Sequence, residues 1–315
     1  MSPLVESTAY IFGLVALGYL VSLAGWLRQG TGEALTEFAT SIALPVLLFR
    51  TMASADFSAG IPWKLWGIYF AAAGACWAIG QASAALLFKR DERAAIIAGV
   101  ASGFSNLVLL GLPFILAVYG HDGVAVLSLV VAIHMPTILG AATVLFAIAD
   151  RRSGTGSVGR ALAAFARNLA TNPMIIGIAA GLAWRMTGLA LPAIASRYVD
   201  TFALVAGPLA LFAMGMGLRN FPLRGNVLPA MFFATIKLGL MPALVLAMAY
   251  GFGLPPMVAK VAVVSAALPT GVNPYLFAVR FGTGQALASN SLTIGTMVAA
   301  LSASIWVAVV EMVFG

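Results

Sequence analysis

The chain has 315 residues, of which 62% are hydrophobic and only 9% are charged, and its mean hydropathy is +1.02. A soluble protein could not cover its surface with so few charges, so the composition indicates an integral membrane protein and excludes a soluble globular one. The formal charge of +7 does not indicate a nucleic-acid partner, because the 17 basic residues are scattered between apolar runs and fit the cytoplasmic loops of a membrane protein.

Apolar runs recur along the whole chain. A transmembrane helix needs about 20 mostly apolar residues. Ten runs meet that length approximately: 9–27, 35–52, 65–88, 94–119, 123–149, 173–188, 199–218, 227–252, 257–281 and 285–313. The sequence therefore predicts an all-α integral membrane protein with ten transmembrane helices.

The longest loop lies near the middle of the chain and contains the Gly/Ser-bearing basic segment RRSGTGSVGR. It divides the chain into a first five-helix repeat (1–150), a basic cytoplasmic linker (151–171) and a second five-helix repeat (172–315). Because each half holds five spans, the halves would have opposite orientations. That arrangement is the inverted repeat of many secondary transporters.

Weak internal similarity supports the repeat. ALPVLLF in the second run resembles AGPLALF in the seventh and pairs Pro45 with Pro208, an offset of 163 residues (208 minus 45). GVAVLS from residue 123 resembles GQALAS from residue 284, an offset of 161 (284 minus 123). Chance matching among apolar residues is the alternative explanation, and two matches at nearly one offset favour the repeat.

The distribution of Lys and Arg predicts the orientation. If the N-terminus is outside, the inner loops hold Arg28, Lys89, Arg90, Arg93, Arg151, Arg152, Arg160, Arg167, Arg219, Arg224 and Arg280, and the outer side holds Arg50, Lys64, Arg185, Arg197 and Lys260. Basic residues near span ends stay in the cytoplasm. The sequence thus predicts a multi-pass membrane protein with both termini outside.

Two of the runs are interrupted at matching positions of the two halves. The fourth contains SGFSNLVLLGLP (102–113) and the ninth contains LPTGVNP (268–274). Proline removes a backbone donor and clashes with the preceding turn, so each helix must open there, and polar side chains nearby can satisfy some of the freed groups. Paired interruptions of this kind point to a transport site. Two proline kinks without a ligand are the alternative, although kinks alone do not require an Asn beside each break.

An opened helix presents unpaired N–H groups and the positive end of a dipole at the start of its second half. Two such ends facing one another favour an anion. All ten acidic residues fall near span ends or in loops, so the midplane carboxylate that a cation antiporter would need is not predicted.

Three further polar residues lie inside predicted spans. Lys237 is roughly 15 Å deep in the eighth span, at about 1.5 Å per residue, and is predicted to face the bundle interior; a shifted span with a snorkelling lysine is the alternative. His134 is either a proton-linked or substrate-binding group or a hydrogen-bonded packing residue. Asn290 is a site candidate, whereas Ser291 and Thr293 equally fit a role in joining helices.

Several segments resemble the auxin efflux carrier family, including its bacterial members described as malonate-type transporters. They are NPMIIGIAAGL (172–182), ALPTGVNPYLFAVRFG (267–282), QALASNSLTIGT (285–296) and SGFSNLVLLGLP. The resemblance implies a scaffold domain, a transport domain with the fourth and ninth helices crossing at their broken middles, an elevator-like motion and a homodimer formed through the scaffold. The long central hydrophilic loop of the plant carriers is missing here, which leaves auxin open as the substrate.

We therefore predict a secondary transporter of a small organic anion, such as malonate or an auxin-like acid, in contact with membrane lipid and without a cofactor, a metal site or a catalytic constellation. A sodium- or proton-coupled symporter of the bile-acid type is the first alternative, and a membrane receptor that binds a ligand without moving it is the second. The predicted substrate-binding residues are Ser105, Asn106, Pro113, His134, Lys237, Pro269, Thr270, Gly271, Asn273, Pro274 and Asn290.

Overall fold

The structure, a computed structural model, describes residues 3–28, 30–54, 63–152, 158–225 and 227–315. Every regular element in these ranges is a helix, which confirms the all-α prediction for the described part of the chain. The α-helices are α1 (Pro3–Ala24), α2 (Thr31–Phe38), α3 (Leu44–Ser54), α4 (Trp63–Leu86), α5 (Glu92–Gly103), α6 (Leu112–Arg152), α7 (Val158–Ala170), α8 (Pro173–Met186), α9 (Ala193–Leu218), α10 (Leu228–Thr235), α11 (Met241–Gly251), α12 (Pro256–Ala267), α13 (Asn273–Arg280) and α14 (Gln285–Phe314).

Six helical stretches of the described chain are long and apolar enough to cross a membrane. They are Glu6–Ala24, Thr31–Ser54, Glu92–Asp150, Ala193–Leu218, Leu228–Gly251 and Gln285–Phe314. The apolar helices α8 and α12 are shorter than a span, at 14 and 12 residues. The chain is therefore a helical, multi-pass membrane protein, and the count of ten spans stays a prediction.

Proline positions explain where the helices widen. Three short π-helical turns, Ala39–Ala43, Leu107–Gly111 and Ile236–Leu240, each precede a proline by two residues: Pro45, Pro113 and Pro242. A proline cannot donate to the carbonyl four residues earlier and clashes with it, and a wider turn relieves that clash.

The turn beyond Pro242 illustrates how a freed carbonyl is satisfied. In a regular α-helix the carbonyl of Leu238 would accept from residue 242, which is a proline here. The indole N–H of Trp306 on α14 donates to that carbonyl instead, at 2.8 Å. A side chain thus replaces the missing backbone donor.

Two local findings refine the predicted boundaries. Gly120 interrupts α6 with φ 65° and ψ −159°, a conformation open mainly to glycine, and it lies between the predicted fourth and fifth spans. The predicted linker contains helix α7, because VGRALAAFARNLA carries good helix formers with an Arg near its end. Residues 153–157 of that linker lie outside the described residues.

The chain forms two compact units, and each draws segments from both predicted halves. Unit 1 comprises Met1–Pro62, Leu107–Ala132 and Asn168–Asn220. In it α1 packs on α9 and α3 packs on α8. The α1–α9 pair meets through Gly18 and Gly215, where an added Cβ would overlap the backbone of the facing helix. Small residues let membrane helices approach this closely.

Unit 2 comprises Trp63–Asn106, Ile133–Arg167 and Phe221–Gly315. In it α4 packs on α5, where Gly99 lies against the indole of Trp77 and Gly103 lies against the carbonyl of Ala73. Unit 2 contains the interrupted stretch 268–274 and the first part, 102–106, of the other one, whereas residues 107–113 belong to unit 1.

Candidate functional site

Two helix breaks meet inside unit 2. The first, 104–106, follows α5, and the second, 268–272, separates α12 from α13. The backbone N–H of Asn106 donates to the carbonyl of Pro269 at 2.9 Å. A Cβ added at Gly271 would lie 3.1 Å from the Phe104 ring and 3.6 Å from the Asn106 side chain. The predicted meeting of the two broken segments is therefore present, and the glycine makes it possible.

Side chains of unit 2 form hydrogen bonds and ring contacts at the first break. The Ser105 N–H donates to Nε2 of His134 at 3.2 Å, and the Tyr69 hydroxyl donates to Ser105 Oγ at 2.8 Å. The imidazole is 1% exposed and packs against the rings of Phe104 and Tyr69, with centroid separations of 4.8 and 5.7 Å.

This geometry fixes the tautomer of His134. Because Nε2 accepts a backbone hydrogen bond, the neutral ring carries its proton on Nδ1. No described residue accepts from Nδ1. The structure thus shows the hydrogen-bonded packing role, while contact of Nδ1–H with a substrate stays a prediction.

The second break has hydrogen-bond donors for which no described residue is the acceptor. Thr270 is 2% exposed, and its hydroxyl has no hydrogen-bond partner in the described chain. Neither the Thr270 N–H nor the Gly271 N–H donates to a described residue. Asn273 begins α13, is half-buried, and its amide bonds to none of the described residues. Buried polar groups normally find partners, so this end of the break is suited to a polar ligand.

Lys237 lies in the π-helical turn after α10 and is 1% exposed. Its ammonium donates to the carbonyl of Ala266 at 2.5 Å. That carbonyl belongs to the last turn of α12, where carbonyls lack intrahelical donors and the helix dipole is negative. Lys237 is therefore a buried partner of the broken helix, and the snorkelling alternative is wrong.

Asn290 and its neighbours on α14 bind backbone. The Asn290 amide donates to the Arg224 carbonyl at 2.8 Å and accepts from the Arg224 N–H at 2.9 Å. Ser289 and Thr293 donate to carbonyls of the same segment, 221–224, at 3.3 and 2.6 Å. These bonds give Asn290 a structural role, and its contact with a substrate stays a prediction.

The two remaining predicted residues are prolines. Pro113 lies in α6 within unit 1, and the added Cβ of Gly207 would be 3.3 Å from it. Pro274 is buried at the start of α13, where its fixed φ suits the first helical turn.

Sequence reasoning missed Tyr69, whose hydroxyl donates to Ser105 at the first break. Tyrosines of membrane helices concentrate at the interfaces. A tyrosine seven residues into α4, in the run WKLWGIYFAAAG, was a usable signal because its hydroxyl needs a buried partner. The described residues contain no group of three His, Cys, Asp or Glu side chains placed to bind a metal ion.

Known proteins are similar over nearly the whole chain. A family profile described as "Membrane transport protein" matches residues 3–307. A candidate malonate transporter of Rhizobium meliloti is 29% identical over 302 residues, which cover 91% of this chain and 89% of the relative. An uncharacterized transporter of Methanothermobacter thermautotrophicus is 22% identical over 96% of both chains.

Plant proteins match a shorter part. Auxin efflux carrier component 1 of Arabidopsis thaliana is 26% identical over 140 residues, which are 42% of this chain and 22% of the plant protein. With the profile matching almost end to end and relatives in bacteria, archaea and plants, this chain belongs to the auxin efflux carrier family of membrane transport proteins.

Proposed function

We propose that the protein is a secondary transporter of a small organic anion, a carboxylate such as malonate or an auxin-like acid, and that the substrate binds where the two breaks meet. The observation that carries this proposal is the contact between the breaks, the 2.9 Å hydrogen bond from Asn106 to Pro269, beside donors that no described residue uses.

The charges around the second break favour an anion. Thr270 and Gly271 offer backbone N–H groups in the break just before α13, whose N-terminal end carries the positive end of the helix dipole. At the carbonyl end of α12 the Lys237 ammonium binds the Ala266 carbonyl and offsets the negative end of that dipole. The positive end of the α13 dipole then dominates the electric field at the break, and this field attracts a carboxylate.

The substrate-binding groups in this proposal are Asn273, Thr270 and Gly271, with Asn106 opposite them. Asn273 and Thr270 offer side-chain donors that bond to none of the described residues. Asn106 is 7% exposed and lies against Gly271. A carboxylate accepts several hydrogen bonds at once, so this set matches its chemistry. The name of the Rhizobium meliloti relative supports malonate as the first substrate to test.

The proposed architecture has ten spans in two inverted repeats, both termini outside in a bacterial inner membrane, and an elevator-type movement of unit 2. Asn106 and Pro269, which meet, are 163 residues apart (269 minus 106), the same offset as Pro45 and Pro208 (208 minus 45). Each unit also combines segments of both halves. A homodimer through unit 1 completes the proposal.

Counterflow of labelled malonate in proteoliposomes tests the function. We expect saturable exchange by the wild type, and at least about tenfold slower initial rates with Asn106→Ala and Asn273→Ala, because a lost hydrogen bond to a charged group is worth about 1.5–3 kcal/mol. Asn168→Ala, a change at an exposed asparagine of α7, is the matched control. Wild-type rates in both site variants would overturn the assignment of the site.

The same vesicles separate the alternatives. Flux that requires a sodium or proton gradient would support the symporter. Saturable binding of malonate with no flux of any tested carboxylate would support the receptor. Exchange that is indifferent to both gradients would contradict ion coupling.

A further inference from the structure

Unit 1 contains a polar cavity of about 400 Å³ at the end where α1 and α9 finish and α2 begins. Its lining includes Ser22, Arg28, Gly30, Glu33, Arg219 and Asn220. Every one of these residues belongs to unit 1, so the cavity is separate from the crossing in unit 2.

Two guanidinium groups and one carboxylate line this cavity. The Arg219 guanidinium donates to the Ser22 carbonyl, which leaves most of its five donors for another partner. The Asn220 amide donates to the Glu33 carboxylate at 3.5 Å. No carboxylate of the described residues lies within 4.0 Å of the Arg28 or Arg219 guanidinium. The lining therefore has a net positive charge and hydrogen-bond donors, which is the combination that suits an oxyanion.

The length of α1 and the side chains near its end suit a cavity at the level of lipid headgroups. Helix α1 has 22 residues, about 33 Å at 1.5 Å per residue, which matches a hydrocarbon core about 30 Å thick. Leu20 and Leu23 near its end are both 57% exposed, as suits side chains that face acyl chains. Trp26 is 78% exposed and is an aromatic residue typical of the membrane interface. Arg28 follows two residues after Trp26.

We propose that this cavity binds the phosphate group of an anionic lipid, with Arg28 and Arg219 as its ligands. Arginine holds phosphate with paired, charge-assisted hydrogen bonds, and basic pockets between membrane helices on the cytoplasmic side hold anionic headgroups. The predicted orientation puts this end of unit 1 in the cytoplasm. A free phosphate ester shares the chemistry, and the experiment separates the two sources.

Native mass spectrometry of the full-length protein in detergent is the test. The protein is titrated with phosphatidylglycerol, phosphatidylcholine, glycerol 3-phosphate and inorganic phosphate. We expect tight phosphatidylglycerol adducts and much weaker phosphatidylcholine adducts. Arg28→Gln should weaken phosphatidylglycerol binding about tenfold, the loss of one charge-assisted bond. Glu33→Gln should strengthen it, because it removes the repelling carboxylate.

Arg197→Gln, at an exposed arginine of α9 in the same unit, is the matched control and should bind like the wild type. Glycerol 3-phosphate or inorganic phosphate that binds as tightly as the lipid, with the same loss in Arg28→Gln, would support the phosphate site and assign it to a soluble ester. Equal binding of phosphatidylglycerol and phosphatidylcholine, or no change in either Arg28→Gln or Glu33→Gln, would overturn the proposal.

Discussion

The two helix breaks of unit 2 differ in which of their backbone and side-chain groups are hydrogen-bonded. At the first break the Ser105 N–H and hydroxyl are bound by His134 and Tyr69, and the Asn106 N–H is bound by Pro269. Among the described residues, the hydrogen bonds of the second break use its acceptors: the Pro269 carbonyl accepts from the Asn106 N–H, and the Val272 carbonyl accepts from the Tyr275 and Leu276 N–H groups. Just before the break, Lys237 donates to the Ala266 carbonyl.

The donors of the second break stay uncommitted among the described residues. We infer from this difference that the first break stabilises the crossing and that the second offers donors to the proposed ligand. Apart from the Asn106 side chain, which the proposal places in the binding set, changes at the first break should therefore reduce stability, and changes at the second should reduce transport. The following predictions can break or sharpen that distinction.

Lys237→Met should have the largest effect, since Lys237 both stabilises the fold through its bond to the Ala266 carbonyl and offsets the negative end of the α12 dipole beside the second break. Loss of the bond to the Ala266 carbonyl should lower the free energy of unfolding by about 1.5–3 kcal/mol and uptake tenfold or more. Thermal unfolding and malonate counterflow measure the two effects. Lys260→Met removes a lysine paired with Glu311 at 2.6 Å and should cost about 0–1 kcal/mol. Unchanged stability and uptake in Lys237→Met would remove Lys237 from the crossing.

His134→Phe should reduce stability next most strongly. It leaves the buried Ser105 N–H without its acceptor, which costs about 1–3 kcal/mol, whereas the KM of the remaining folded protein should not change. Thermal unfolding and concentration-dependent uptake are the measurements. His121→Phe, at an exposed histidine, is the control. A raised KM with an unchanged melting temperature would show that the imidazole contacts the anion and would break the distinction between the two breaks.

Asn273→Ala should do the reverse and lower kcat/KM about tenfold, or 1.4 kcal/mol, with little change in melting temperature. Its amide makes no bond to the described residues that could be lost. Asn290→Ala is the matched comparison, because both of its polar atoms bind Arg224 backbone. We expect that variant to unfold earlier and to keep its KM. The opposite pattern in the two variants would move the ligand from α13 to α14.

Thr270→Val should have the smallest effect, a rise in KM of about two- to fivefold, since one neutral hydrogen bond is worth about 0.5–1.5 kcal/mol. Stability should stay constant because the buried hydroxyl has no hydrogen-bond partner among the described residues to lose. Thr296→Val is the control: its hydroxyl donates to the Leu292 carbonyl at 2.8 Å, in the same unit. A KM equal to wild type in Thr270→Val would exclude this hydroxyl from the binding set.

Sequence patterns predicted the helical class and the breaks, because prolines, glycines and asparagines leave local signals, and the resemblance to a known family implied that the breaks meet. They could not predict which donors are already used. The sequence does not distinguish Asn290 from Asn273, since each is an asparagine in a predicted span. The structure shows that Asn290 binds the Arg224 backbone, while Asn273 bonds to none of the described residues. Lys237 was correctly expected inside the bundle, but its acceptor is a carbonyl 29 residues away along the chain, a distance that no local pattern encodes.

The indole of Trp306 on the Leu238 carbonyl has a consequence for the order in which mutations could accumulate. With a residue other than proline at position 242, a backbone N–H can serve that carbonyl, and tryptophan at 306 is optional. With Pro242 present and the indole absent, a buried carbonyl loses its donor at a cost of about 1–3 kcal/mol. The effects of the two substitutions are therefore not additive. A lineage that acquired Trp306 first could accept Pro242 cheaply, and one that acquired Pro242 first could not.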